Sequence, residues 1–299
     1  MNKFLPCCVY PTTTILIDDD THLTKWLTLK LQPYGPVIVF NDPKEALAYL
    51  EGYVPSTFVN RMNLEEFDLA DFEKECTNED HRNEIFCIII DYAMPGLNGL
   101  QLAEALIDFP AKKIMLTGEA DHALAVEAFN ESAIDQFILK STDNLMELLV
   151  ATVIEMKWQR FTELSRVLTT VMDEPISNLK DNAFSAHIFG YLHDTMISEF
   201  YLENEYGDLL LVNESSERLH YLVREEKVVD DLVWLAQNLF DQDPDDDREV
   251  FDKITARTAI PFFPVGFDAE HSSLREWRPF FYDFVIVKGD RQNYYCAVK

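Results

Sequence analysis

The sequence predicts an α/β fold followed by a smaller α+β domain: a doubly wound, five-stranded parallel sheet, then a long linking helix, then an antiparallel sheet. Three observations predict it. Short apolar runs in the first half each stop on a polar residue and alternate with helical patterns, as βαβ units require. The last of these helical patterns runs on past the point where such a sheet is complete. From Ile176 onwards, the alternation of strands and helices gives way to consecutive strands.

Ile15 to Ile17 is the first strand, and it ends in Asp18, Asp19 and Asp20. The preceding residues, Met1 to Tyr10, read as an arm that caps this strand; they carry an early proline and no signal-peptide pattern. Thr21 to about Tyr34 places Leu23, Trp26, Leu27, Leu29 and Leu31 in a helical period, with Thr21 as the cap. Pro36 to Phe40 is the second strand, and Asp42-Pro43 opens a helix through Ala46, Leu47 and Leu50. Phe86 to Ile90 is the third. It stops on Asp91 and breaks into the turn Tyr92-Ala93-Met94-Pro95-Gly96-Leu97-Asn98-Gly99. Helices predicted over 99–109 and 119–130 flank the strand Ile114 to Leu116, which ends at Thr117-Gly118. Phe137 to Leu139 ends at Lys140. In a parallel sheet these four ends converge on one edge, where α/β sheets bind ligands.

This set resembles the receiver domain of two-component response regulators, over about the first half of the chain. The resemblance implies that Asp91 is the phosphoryl acceptor and Asp19 a direct ligand of Mg2+. It implies that Asp18 acts on the ion through water and that Ala93 gives only its backbone carbonyl. Thr117 and Lys140 would contact the phosphoryl oxygens, and Phe137 would be the aromatic switch residue, where Tyr is commoner. Ser141 departs from the pattern, which has a cis-proline after the lysine; a cis bond before a non-proline costs about 3 kcal/mol, so the turn is expected to be trans. The donor implied is a sensor histidine kinase or a phosphotransfer protein.

The chemistry asks for these residue types under any family name. A carboxylate is a weak nucleophile that must approach an anionic phosphoryl group, so a cation has to cancel the repulsion. Hard oxygen ligands select magnesium, which keeps several waters and needs few carboxylates. A rival reading takes Asp18-Asp19-Asp20-Thr21 as the nucleophile strand of an Asp-x-Asp-x-Thr phosphatase. Thr21 stands one position too early for that, and Asp91, Pro95, Gly96 and Thr117 would then have no role.

The 299 residues allow two domains, each with its own core. We expect a receiver over 1–158 with an insertion at about 52–85, a helical linker over 159–175 and an output domain over 176–299. The insertion carries Phe58, Leu64, Phe67, Leu69 and Phe72 among many acids and is expected to form a short helix on the receiver's flank. In the last receiver helix, Ile154, Trp158, Phe161, Ser165, Leu168 and Met172 have the spacing of a coiled-coil seam. Two uses of the helix at about 143–172 stay open: pairing with its copy in a homodimer, or packing within the chain.

In the second half, Met196 to Leu202, Asp208 to Val212 and Leu219 to Val223 read as a meander of strands. Lys227 to Phe240 reads as a helix and 241–249 as a solvated acidic loop. Phe280 to Val287 and Asn293 to Val298 read as a last hairpin. The expected architecture is an antiparallel sheet with helices on one face. His193-Asp194 lacks the second histidine cluster of a metal phosphohydrolase, and the acids around Asp245 lack the glycine and terminal glutamate of a calcium loop.

The net charge is −28, from 53 acids and 25 bases, and by count it divides into about −15 up to Val150 and about −13 beyond. A nucleic-acid partner needs a cationic footprint, and neither half is basic. No apolar run approaches the ~20 residues of a membrane span. Five cysteines without metal or redox spacing fit a reducing cytoplasm. The function expected is a cytoplasmic phosphorylation switch, not an enzyme, whose output domain binds an unknown downstream protein. The alternatives are a transcriptional regulator, with Arg248, Lys253, Arg257, Arg275 and Arg278 as a hidden basic patch, or an enzymatic output.

Overall fold

The computed structural model describes residues 4–61, 69, 71–118, 132–170, 176–243 and 246–299. The chain forms two compact units. One comprises Val9–Phe67 and Thr77–Val171; the other comprises Met1–Cys8, Asp68–Cys76 and Met172–Lys299.

The elements up to Leu168 are β1 (Cys8–Val9), β2 (Thr13–Ile17), α1 (Thr21–Leu31), β3 (Val37–Phe40), α2 (Pro43–Glu51), α3 (Phe58–Arg61), α4 (Asp71–Cys76), β4 (Ile85–Asp91), α5 (Gly99–Ala105), β5 (Lys112–Thr117), β6 (Gln136–Leu139) and α6 (Leu145–Leu168). Strands β2 to β6 form a parallel sheet in the order β3-β2-β4-β5-β6. The central strands β2 and β4 are buried at every position, which is why they read as continuous apolar runs rather than alternating ones. Ile15, Ile17, Ile88 and Ile90 face α2 and α5 through Ala46, Leu50, Leu102 and Ala103. Their neighbours Leu16, Cys87 and Ile89 face α1 and α6 through Leu27, Leu31, Leu149 and Val153. The sheet is therefore doubly wound, as expected.

Several local expectations change. Asp20, not Thr21, caps α1: its carboxylate accepts from the amides of His22 at 2.8 Å and Leu23 at 3.2 Å. The insertion is divided rather than one helix on a single flank, because α3 lies in the parallel-sheet unit while α4 lies in the other unit. Leu64 and Phe67 lie outside the described residues, as does the helix expected over 119–130. In α6, Phe161, Ser165 and Leu168 are buried within the chain, and Ile154 is 40% exposed. Residues 171–175 lie outside the described set. Two cations fix α6: Lys112 bridges Asp135 at 3.1 Å and Glu163 at 2.7 Å, and the buried Lys157 donates to the carbonyls of Thr12 and Tyr34.

The remaining elements are α7 (Asn182–Asp194), β7 (Ile197–Leu202), β8 (Leu209–Asn213), β9 (Arg218–Glu225), α8 (Glu226–Gln242), α9 (Arg248–Thr255), β10 (Phe284–Lys288) and β11 (Asn293–Val298). They build a six-stranded sheet in the order β1-β7-β8-β9-β11-β10, with β7 to β11 antiparallel. The N-terminal arm does not cap the first strand of the parallel sheet. It joins this second sheet: Leu5 donates to the Leu179 carbonyl at 2.9 Å, and the Cys7 carbonyl accepts from Leu202 at 2.7 Å.

Helices cover both faces of the sheet, not one. Tyr294 meets Phe184 of α7 with ring centroids 4.8 Å apart, whereas its neighbour Tyr295 packs with Val229 of α8, Ile260 and Phe262. Adjacent strand residues point to opposite faces, so the two tyrosines anchor opposite layers. The acidic run after α8 is also less idle than expected. Asp246 accepts from the Leu274 amide at 2.6 Å, and Asp247 caps α9 at the Val250 amide.

Candidate functional site

Parallel register aligns the strand ends. Ile17 pairs with Ile90, Asp91 with Leu116, and Thr117 with Leu139, so the residues that follow share one edge. Asp18, Asp19 and Asp91 each bring a carboxylate oxygen there, and these atoms all lie within 4.8 Å of one another. Lys140 reaches in from the end of β6. Its ammonium is 3.0 Å from Asp18 Oδ2 and 2.8 Å from Asp91 Oδ1. The peptide bond to Ser141 is trans.

Burial separates the acids. Asp18 and Asp91 are almost wholly enclosed, while Asp19 is exposed. Desolvation raises the Asp18 pKa, and the neighbouring charge of Asp91 adds to it; the amide of Asp20, 2.8 Å away, and Lys140 oppose the rise. Burial pulls Lys140 down, yet its hydrogen bonds and charge contacts with Asp91 and Asp18 leave it above the ordinary lysine value. The ammonium therefore stays charged, and one cation faces three carboxylates.

Two residues given no role from the sequence position these groups. Asn41, just past β3, donates its side-chain amide to the Asp18 carbonyl at 2.7 Å. A polar residue directly after a strand was its only signal. Gly99 opens α5 under the end of β4, donating its amide to the Tyr92 carbonyl at 2.9 Å. Asn98 and Gln101 close a capping box there, so the turn after Asp91 is anchored on both sides.

Thr117 is fully buried, and its hydroxyl donates to the Gly118 carbonyl at 3.2 Å; the Thr117 carbonyl accepts from the Lys140 amide at 2.8 Å. Ala93 is exposed in the loop after β4. Phe137 is half-buried against the core that holds Ile88 and Ile90. A divalent cation suits the donor set: three hard carboxylate oxygens gathered at one point, two of them on buried residues and only partly neutralised by Lys140.

A family model described as the response regulator receiver domain matches residues 53–152. Among solved structures, the chain is similar to the Legionella pneumophila response regulator LqsR. The identity is 25%, with 100% of this chain and 90% of that chain covered and a TM-score of 0.81. The Francisella response regulator 1452 receiver domain matches at 20% identity, covering 50% of this chain and 98% of that one, with a TM-score of 0.35. A CheY-like receiver domain protein from Methanospirillum hungatei matches at 20% identity, covering 51% and 98%, with a TM-score of 0.37. No curated protein sequence matches. The strand order, the acidic edge and the family match agree: the chain contains a response-regulator receiver domain, built on the parallel sheet.

Proposed function

We propose that the chain is a phosphorylation-dependent response regulator of a cytoplasmic two-component system, in which Asp91 accepts a phosphoryl group and the second unit passes the change on by binding protein. The observation that carries this reading is the convergence of Asp91 with Asp18 and Asp19, bridged by Lys140. Asp18, Asp19, Asp91 and the Ala93 carbonyl would hold Mg2+, with Asp19 a direct ligand and Asp18 acting through water. When bound, the ion supplies charge neutralisation for the transferring group.

The chain's own residues do the rest. A carboxylate oxygen of Asp91 bonds to phosphorus as the phosphorus–nitrogen bond to a histidine of the kinase or phosphotransfer protein breaks. Lys140 already sits 2.8 Å from that carboxylate and needs only a small swing to pair with the new oxygens. Thr117 gives up the Gly118 carbonyl and donates to the phosphoryl group, and Phe137 follows into the space the hydroxyl leaves.

Charge supports a protein partner over DNA. The second half carries about −13, and three of the five residues of the candidate basic patch are paired with acids. Arg278 pairs with Asp247 and Glu249, Lys253 with Glu249, and Arg257 with Asp230. Among the described residues no helix is long and apolar enough to cross a membrane. The test of the reading is intact-mass analysis after incubation with acetyl phosphate and Mg2+. One added phosphoryl group is expected on the wild type and none on Asp91→Asn; undiminished labelling of the variant removes the proposal.

A further inference from the structure

Strand β10 ends the antiparallel sheet, with β11 on one side and, among the described residues, no strand on the other. Val285 and Ile286, which point to opposite faces, are each 57% exposed, so the middle of the strand lies open on both faces although Val287 is buried. The hairpin shows which backbone groups are spare. The Gly289 amide donates to the Gln292 carbonyl at 2.9 Å and continues the unbroken β10–β11 ladder. Antiparallel pairs alternate in hydrogen bonding, so Val287 and Val285 turn their amide and carbonyl groups towards β11. Phe284, Ile286 and Lys288 turn theirs outward, to the open edge. Exposed apolar edges of this kind are templates for another strand.

We propose that this edge receives β10 of a second copy of the chain, antiparallel and with a two-fold axis at Ile286. Placing Ile286 opposite itself sets Phe284 opposite Lys288, and every outward amide then meets an outward carbonyl. The same patch serves both subunits, as a two-fold contact requires. Charge leaves this strand open to a second copy. Each copy carries −28 and repels its twin over most of its surface, but β10 has one lysine and no acid. In the pairing Lys288 lies against Phe284 of the second copy, a favourable place for a cation, and Asp283 falls opposite Gly289. The contact is independent of the Asp91 chemistry and differs from helix pairing through α6.

Sedimentation velocity on the full chain over a wide concentration range tests it. The mass should rise from 34.7 kDa towards twice that value. Ile286→Pro removes only an outward amide and is compatible with an edge strand; Ile286→Lys sets two like charges face to face on the axis. Each should weaken association about tenfold or more, with circular dichroism and thermal unfolding unchanged. Hydrogen exchange on the wild type gives a reading free of mutation: the amides of Phe284, Ile286 and Lys288 should become protected as concentration rises. A wild type that stays at 34.7 kDa throughout overturns the proposal. So does a dimer in which those three amides exchange freely, or one dissolved by Ile154→Lys on α6 but not by the changes at Ile286.

Discussion

Gly99 lies so close beneath Asp91 that a β-carbon on it would fall 2.2 Å from the Asp91 carbonyl oxygen and 2.8 Å from the Tyr92 α-carbon. Both neighbours are backbone, so neither can swing aside. Gly99→Ala must push the end of β4 or the start of α5, at a cost of about 1–3 kcal/mol. We expect a lower unfolding temperature together with slower labelling of Asp91 by acetyl phosphate. Unchanged values of both would show that the strand end tolerates the shift.

The exposed Asp19 and the enclosed Asp18 should respond differently to loss of charge. A direct ligand matters more to a bound ion than one acting through water, so Asp19→Asn should weaken Mg2+ binding more than Asp18→Asn. Isothermal titration with magnesium alone measures this. Equal affinities of the two variants would reverse the assignment.

Thr117→Ala separates acceptance from transmission. The nucleophile and its cation stay in place, so the variant should still gain one phosphoryl group. A ligand shifts an equilibrium only through contacts that differ between states, and on the proposed function the hydroxyl would be one such contact. The phosphorylated variant is therefore expected to lack the partner binding or assembly change of the phosphorylated wild type, as measured by sedimentation or a pull-down. A full response would assign the coupling elsewhere.

Lys157 gives a prediction about pH. Burial holds its ammonium down to about 8, against an ordinary 10.5. Between these values the unfolded chain keeps a proton that the folded chain has released, so stability rises with pH across the window and the gain is absent below about 8. Lowering a pKa by one corresponds to about 1.4 kcal/mol against the charged form. Urea unfolding of Lys157→Met should lack this rise, so the difference between wild type and variant changes steadily from about pH 8 towards 10.5. A difference that stays flat across the window would mean that the carbonyls of Thr12 and Tyr34 hold the charged amine without penalty.

The parallel sheet was legible because its central strands are enclosed on both sides and each stops abruptly on a polar group, as Ile90 does before Asp91. That pattern survives in a single sequence. Asn41 did not stand out because its bond is to a backbone carbonyl 23 residues away, which no local motif announces. The short strand Cys8–Val9 has too few residues for a period. Tyr294 and Tyr295 held a signal that was passed over: consecutive aromatics in a strand leave no polar face, and so call for a covering layer on each side.

The second sheet takes its first strand from Cys8–Val9 and its last from Asn293–Val298. Nearly the whole receiver is thus spelled out between two strands of one sheet. A ribosome releases every residue of the receiver before β11 emerges to lie between β9 and β10. The receiver can form while its companion still waits for its last strand, so the edge that gathers Asp18, Asp19 and Asp91 is complete in the nascent chain earlier than the second sheet.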